Sequence, residues 1–210
     1  MKERNSKEYF DKVSGEWDRM RQGFYSKAVQ EKAISTAQVT ANKTAIDLGA
    51  GTGFMTEALL KRGVHVIATD QSPEMLNILK DKFRNSTLLE CHQGEAGNLS
   101  IENDIAEYVF ANMYLHHVEN PLAAIKEAVR ILKNDGKLII TDLDEHNYSF
   151  LRTEHHDRWM GFKRDSISRW FIQAGLKNVS VSSIGEQCCA QSECSDNYAD
   201  VSIFIAYGEK

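Results

Sequence analysis

Three glycines at alternate positions follow an acid in Asp47-Leu48-Gly49-Ala50-Gly51-Thr52-Gly53, and the chemistry of this chain starts there. The apolar residues 44–48 end at the acid, and a helical pattern opens at Gly53-Phe54. Strand, tight turn and helix N-terminus are the implied order. Glycines at 49, 51 and 53 let the backbone take positive φ and let a ligand approach with no Cβ between. A dinucleotide fingerprint would need G-x-G-x-x-G, with a pyrophosphate on the helix N-terminus. Here the third glycine comes one residue early, and Phe54 stands where the last dinucleotide glycine belongs. A bulky residue there argues against a pyrophosphate and for a ligand without phosphate.

A second acid extends the motif. Val64-His65-Val66-Ile67-Ala68-Thr69-Asp70 reads as a strand ending in Asp70, 21 residues after Gly49. In a doubly wound sheet an acid at that place faces the ribose of an adenosine ligand. S-adenosylmethionine (SAM) meets both conditions. The alternative is an ordinary turn followed by an unrelated acid.

Further along, Asn112-Met113-Tyr114-Leu115-His116-His117-Val118 leaves a strand on the same edge. Tyr114, His116 and His117 are its candidates for acid–base work, since an imidazole titrates near neutrality. Packing of the strand end, with the rings bonded to backbone, is the simpler role for each histidine. Three of the four cysteines fall within seven residues in Cys188-Cys189-Ala190-Gln191-Ser192-Glu193-Cys194. Exposed free thiols are a liability, so a reduced cluster suggests metal binding or reactivity. Cys188, Cys189 and Cys194 could ligate zinc or a soft metal or metalloid, with His155 or His156 as a fourth ligand. The spacing matches no standard zinc signature, and a surface loop with incidental thiols is the alternative. Cys91 lies in an apolar strand and reads as core.

Taken together, Asp47 to Gly53, Asp70, Gln93-Gly94-Glu95-Ala96, the 112–118 run and Ile131-Leu132-Lys133-Asn134-Asp135-Gly136-Lys137 resemble the class I SAM-dependent methyltransferases. The likeness is to the small-molecule branch related to quinone C-methyltransferases and to methyltransferases linked to metalloregulators. It spans about residues 9–145, in family order and spacing. Two departures are Glu95, where the family carries Asp, and Asn134-Asp135, where it carries a Pro-Gly turn. The resemblance implies that Asp47, Gly49, Ala50, Gly51 and Gly53 bind the amino-acid part of SAM and Asp70 its ribose. It places Gln71, Met75, Glu95 and Ala96 around adenine and Asn112 at the methionine moiety. It makes Tyr9, Phe10 and Trp17 part of an N-terminal lid, with residues 154–159 an acceptor-side lid or a solvated helix docking Trp159 in the core. The metalloregulator link favours a metalloid at the cysteines.

The elements must bring these residues to one edge. Alternating strand and helix patterns imply an α/β, doubly wound, mostly parallel sheet of seven strands with an antiparallel last strand, a Rossmann-like fold. Strands are expected at 44–48, 64–69, 87–91, 107–111, 137–143, 177–184 and 200–207. Helices are expected at 25–40, 53–62, after Ser72-Pro73, after Asn120-Pro121, and at 165–174. No helix separates the last two strands, so they pair antiparallel. Their connection, with the cysteines, then overhangs the ligand-binding edge. The 210 residues fit one domain: a lid at 1–40, a cofactor core at 41–145, and an acceptor side at 146–210.

Net charge is −5 and no basic cluster occurs, which disfavours nucleic acid as the substrate. No apolar run approaches a membrane span, and the N-terminal residues lead into no hydrophobic segment, so a cytoplasmic protein is expected. The function implied is methyl transfer from SAM to a small-molecule acceptor, a thiophilic centre held by the cysteines among the choices. Carbon, oxygen or nitrogen methylation of a metabolite with a structural cysteine loop is the enzyme alternative. A SAM- or metal-binding sensor is the non-catalytic one, and the glycine spacing disfavours an NAD enzyme.

Overall fold

The computed structural model describes residues 6–95, 97–192 and 194–210. Its strands are β1 (Thr44–Leu48), β2 (His65–Asp70), β3 (Leu89–Gln93), β4 (Ala106–Asn112), β5 (Leu132–Leu143), β6 (Lys177–Gln191) and β7 (Tyr198–Glu209). They form one sheet of order β3-β2-β1-β4-β5-β7-β6. Every pairing is parallel except the two made by β7. The α/β sheet expected from the sequence, with its antiparallel last strand, is the sheet observed.

The α-helices are α1 (Ser6–Val13), α2 (Trp17–Phe24), α3 (Ala28–Ala37), α4 (Phe54–Leu60), α5 (Pro73–Lys82), α6 (Pro121–Ile131), α7 (Ser149–Glu154) and α8 (Arg164–Gln173). Helices α3 and α4 bury Val29, Ala33 and Leu59 on one face of the sheet. Helices α6 and α8 bury Ile125, Val129, Ile167 and Phe171 on the other. The central strands are covered on both sides, which is why β1 and β4 read as apolar runs rather than alternating ones. The caps legible in the sequence form as expected. Ser72 Oγ accepts from Met75 N at 3.1 Å and Asn120 Oδ1 from Ala123 N at 3.1 Å, each with proline opening the helix.

The largest boundary differences from the sequence expectation lie in β5 and β6. Strand β5 starts at Leu132 rather than 137, because Leu132 already pairs with Ala106. The Asn134-Asp135 turn, with Asp135 at φ 64°, is taken up as an irregularity before Lys137 pairs with Tyr108. Strand β6 runs on to Gln191 instead of ending at 184. Residues 187–191 pair with 198–202, so the segment expected as a loop is a long hairpin arm.

Phe171 is fully buried in the core beside Leu176 and Gly208 and anchors α8. Phe171→Ala is expected to lower the free energy of unfolding by about 3–5 kcal/mol, measured by urea denaturation.

Candidate active site

The carboxyl ends of β1, β2 and β4 open into a cavity of about 280 Å³. The glycine turn forms its floor. Gly49 sits at φ 66°, and a Cβ there would collide with the Tyr114 ring, so this position needs glycine for both conformation and space. Gly51 N donates to Asp70 Oδ2 at 2.8 Å and Ser72 N to Asp70 Oδ1 at 2.9 Å. The strand-end acid is thus fixed against the turn, facing the cavity that it lines. Burial raises the Asp70 pKa, and these backbone donors oppose it. Asp47 is 1% exposed and accepts from Thr56 Oγ1 at 2.6 Å. Burial pushes its carboxyl up to about 7, against the Thr56 bonds and helped by the Asp70 charge.

The N-terminal helices cover this floor. Phe10 and Trp17 meet edge to face at 5.2 Å, and both line the cavity. Side-chain hydrogen bonds tie the cover down. Ser72 Oγ donates to Asp11 at 2.5 Å, Gln71 Nε2 to Ser6 Oγ at 3.1 Å, and Thr52 Oγ1 to Asp18 at 2.6 Å, with Lys82 also paired to Asp18. Gln71, Met75, Glu95 and Asn112 line the cavity as expected. Asn112 accepts from Thr141 Oγ1 at 2.8 Å and donates to the Tyr25 hydroxyl at 3.3 Å. Ala96 lies outside the described residues.

The two histidines after β4 have different surroundings. His116 is 4% exposed and lies behind the wall, its Nδ1 donating to Asp142 Oδ1 at 2.7 Å and its Nε2 3.8 Å from Asp157 Oδ1. Burial alone would lower its pKa, but the Asp142 and Asp157 carboxylates outweigh burial and raise it to about 9. His116 is thus off the cavity wall, paired with two carboxylates. His117 lines the cavity, edge to face with Phe10 at 4.9 Å. Burial and then the His116 charge hold its pKa well below the usual range, so it is neutral at neutral pH. Tyr114 also lines the cavity, and burial raises its hydroxyl pKa.

Other expectations are redistributed. Gly53 caps α4 at φ 95° against Phe83 and Leu79 and is not in the cavity wall. Tyr9 turns from the cavity toward the acceptor-side segment, stacking on His156 at 4.6 Å with its hydroxyl 3.4 Å from His155 Nδ1. Helix α7 ends at Glu154, and Trp159 is 39% exposed, its Nε1 donating to Val118 O at 2.8 Å rather than docking in the core.

The structure does not gather the cysteines. Because β6 continues through them, Cys188 and Cys189 point to opposite faces of the hairpin arm. Cys188 is buried in the apolar core and its thiol is pushed up to about 12 by that burial, while Cys194 is exposed at the hairpin turn. They form no metal-holding group among the described residues.

Sequence reasoning missed Arg21 and Tyr25, both on the cavity wall, while Arg158 of the expected acceptor-side lid lines it too. Arg21 is 6% exposed, with its guanidinium 4.3 Å from the Phe54 ring centroid and donating to Tyr25 O at 3.5 Å. The i, i+4 spacing of Trp17, Arg21 and Tyr25 was the available signal. Asp142→Asn removes the partner of a buried cation and is expected to cost about 3–5 kcal/mol, read from chemical denaturation at neutral pH.

A methyltransferase domain model matches residues 46–140. The chloroplastic 2-methyl-6-phytyl-1,4-hydroquinone methyltransferase of Arabidopsis thaliana is 30% identical over 169 residues, covering 78% of this chain and 49% of that protein. The chain spans about half the length of the first curated relatives it matches. A demethylmenaquinone methyltransferase of Staphylococcus saprophyticus is 25% identical over 206 residues, 83% of this chain and 88% of that one. A SAM-dependent methyltransferase structure from Aquifex aeolicus superposes with a TM-score of 0.69 at 18% identity, covering 95% of this chain and 97% of that one. Residues 46–140 thus match a methyltransferase domain, and the fold is similar to that of solved SAM-dependent methyltransferases.

Proposed function

We propose that the chain transfers a methyl group from SAM to a small-molecule acceptor enclosed beneath the N-terminal helices. The observation that carries this reading is the pairing of two unlike walls in one cavity. Asp47, the glycine turn and Asp70 form one wall, and Tyr114, His117 and Arg158 belong to the other. The donor set fits the cofactor. Asp47 suits an ammonium, Arg21 a carboxylate and Asp70 a pair of ribose hydroxyls, while Met75, Gln71 and Glu95 would flank adenine.

When bound, SAM supplies an electrophilic methyl on a good leaving group. The residues of this chain therefore orient the acceptor and exclude water. Phe10 and Trp17 close the cavity, and His117 lines it edge to face with Phe10. The printed names of the relatives, a hydroquinone and a demethylmenaquinone methyltransferase, support a hydroxylated aromatic ring as the acceptor class. Such a ring suits the aromatic lining. A thiophilic acceptor clasped by Cys188, Cys189 and Cys194 is the weaker reading, since it would need β6 to unpair from β7.

Formation of S-adenosylhomocysteine is to be measured with hydroquinones, catechols, thiols and arsenite. Turnover of hydroxylated rings, lost in Asp70→Ala, is expected. Turnover of arsenite alone would restore the thiophilic reading, and SAM binding without turnover of any acceptor would make the chain a sensor.

Asp47 sets a pH dependence. Below about pH 7 the cavity holds a proton on its carboxyl, and pairing with an ammonium requires that proton to leave. SAM affinity should therefore strengthen as pH rises through about 7 and then level off. Calorimetric titration should show this slope in the wild type and a weaker, flat affinity in Asp47→Asn.

A further inference from the structure

We propose that His116, His117 and Asp157 form a binding site for a borderline divalent transition metal, of the Zn²⁺ or Co²⁺ kind, in the wall of the cavity. One ligand atom from each of the three lies within 4.8 Å of the others. A tetrahedral site with metal–nitrogen bonds of about 2.0–2.1 Å separates its donors by roughly 3.3 Å. The cluster needs to contract by no more than about 1.5 Å, within reach of side-chain rotation.

Three further observations point the same way. First, His116 is oriented as metal-binding histidines are. Its Nδ1 donates to Asp142 at 2.7 Å, which leaves Nε2 toward Asp157. Asp142 is itself fixed by the Leu115, His116 and Leu143 amides at 2.8, 3.3 and 2.7 Å. Second, His117 Nδ1 is buried and has no hydrogen-bond partner, while the His156 backbone bonds the same ring. A lone pair left unused in a buried place is costly unless something binds it. Third, the rings of the two adjacent histidines sit 4.0 Å apart, held by the tight turn Leu115–His117.

Two imidazoles and one carboxylate select the class of ion. Calcium and magnesium prefer all-oxygen sets, whereas imidazole suits zinc, cobalt, nickel and iron. Metal at His116 Nε2 takes the place of the proton between that nitrogen and Asp157, and the proton is released to solvent. Three protein donors leave a coordination position, the arrangement of catalytic rather than structural sites. Of the three ligands, His117 lines the cavity. The ligand class for the open position is an oxygen anion, such as a phenolate from a hydroxylated ring, whose pKa the metal lowers. That last step rests on the methyl-transfer reading; the metal site does not.

The test titrates chelator-treated protein with Co²⁺, following visible d–d absorption and heat. One equivalent with a strong visible band is expected, displaced by Zn²⁺. His117→Gln and Asp157→Asn should abolish the band, and Asp142→Asn should weaken Co²⁺ binding by about 10–100-fold. His92→Ala, on the exposed edge strand, should leave it unchanged. Thermal midpoints of the metal-free variants separate lost ligation from lost folding, and His117→Gln removes no recorded ion pair. Absence of the band in the wild type overturns the proposal. So does a band retained in folded His117→Gln, or one lost in the Cys188→Ser/Cys189→Ser/Cys194→Ser variant. SAM titration of the same metal-free protein tests the methyl-transfer reading separately.

Discussion

The Asp142 carboxylate holds this site together. It stands near the end of β5, fully buried, and receives the Leu115, His116 and Leu143 amides as well as the His116 ring. Through His116 it reaches a second segment, because the His116 carbonyl accepts from Arg158 N at 3.0 Å and Trp159 N at 3.1 Å. The turn after β4, the end of β5 and the acceptor-side segment thus share one anchor. A buried charge with these partners is strongly directional, and removing one partner leaves the others uncompensated. The backbone of the turn that carries Tyr114 and His117 is therefore fixed by that anchor.

The cofactor wall is built on a different principle. Its rigidity comes from backbone rather than charge pairs. Positive φ at Gly49 and Gly51 aims Gly51 N at Asp70, and Tyr114 fills the space that a side chain on Gly49 would take. The two walls meet at that contact. The glycine serves the cofactor side through its backbone and the acceptor side by making room for the tyrosine.

This division explains what the sequence disclosed. Strand β1 and the caps at Ser72 and Asn120 were legible because each rests on local rules: an apolar run, glycine spacing, or an N-cap followed by proline. The cysteines misled because Gly185-Glu186-Gln187 looks like a strand terminator. The β6–β7 pairing absorbs it as an irregularity between Ser183 and Gln187, and 188–191 return to the ladder. Non-local pairing overrode a local break. His116 and His117 could not be told apart either, since the carboxylates that raise the His116 pKa, Asp142 and Asp157, lie 26 and 41 residues away, while burial in the folded chain lowers that of His117. Arg21 stayed hidden because a lone arginine on an amphipathic helix reads as solvated until the fold buries it beside Phe54.

The cover is held differently again, and this bears on how a ligand enters. Ser6 is the only buried residue of α1 and Arg21 the only one of α2, so the two helices contribute less to the apolar core than α3 does with Val29, Ala33 and Ile34, chiefly through Phe24 packed against it. What holds them is a set of partly exposed polar ties, Asp11 to Ser72, Asp18 to Thr52 and Lys82, and Ser6 to Gln71. Each such tie is worth about 1 kcal/mol or less. Opening the cover would also expose Phe10, Trp17 and Phe24 and separate Arg21 from Phe54. The Phe10 and Trp17 rings lie over the cavity itself, so a bound ligand restores the burial that they lose on opening. The buried charge pairs thus lie behind the cavity wall, and the partly exposed polar ties lie in its cover.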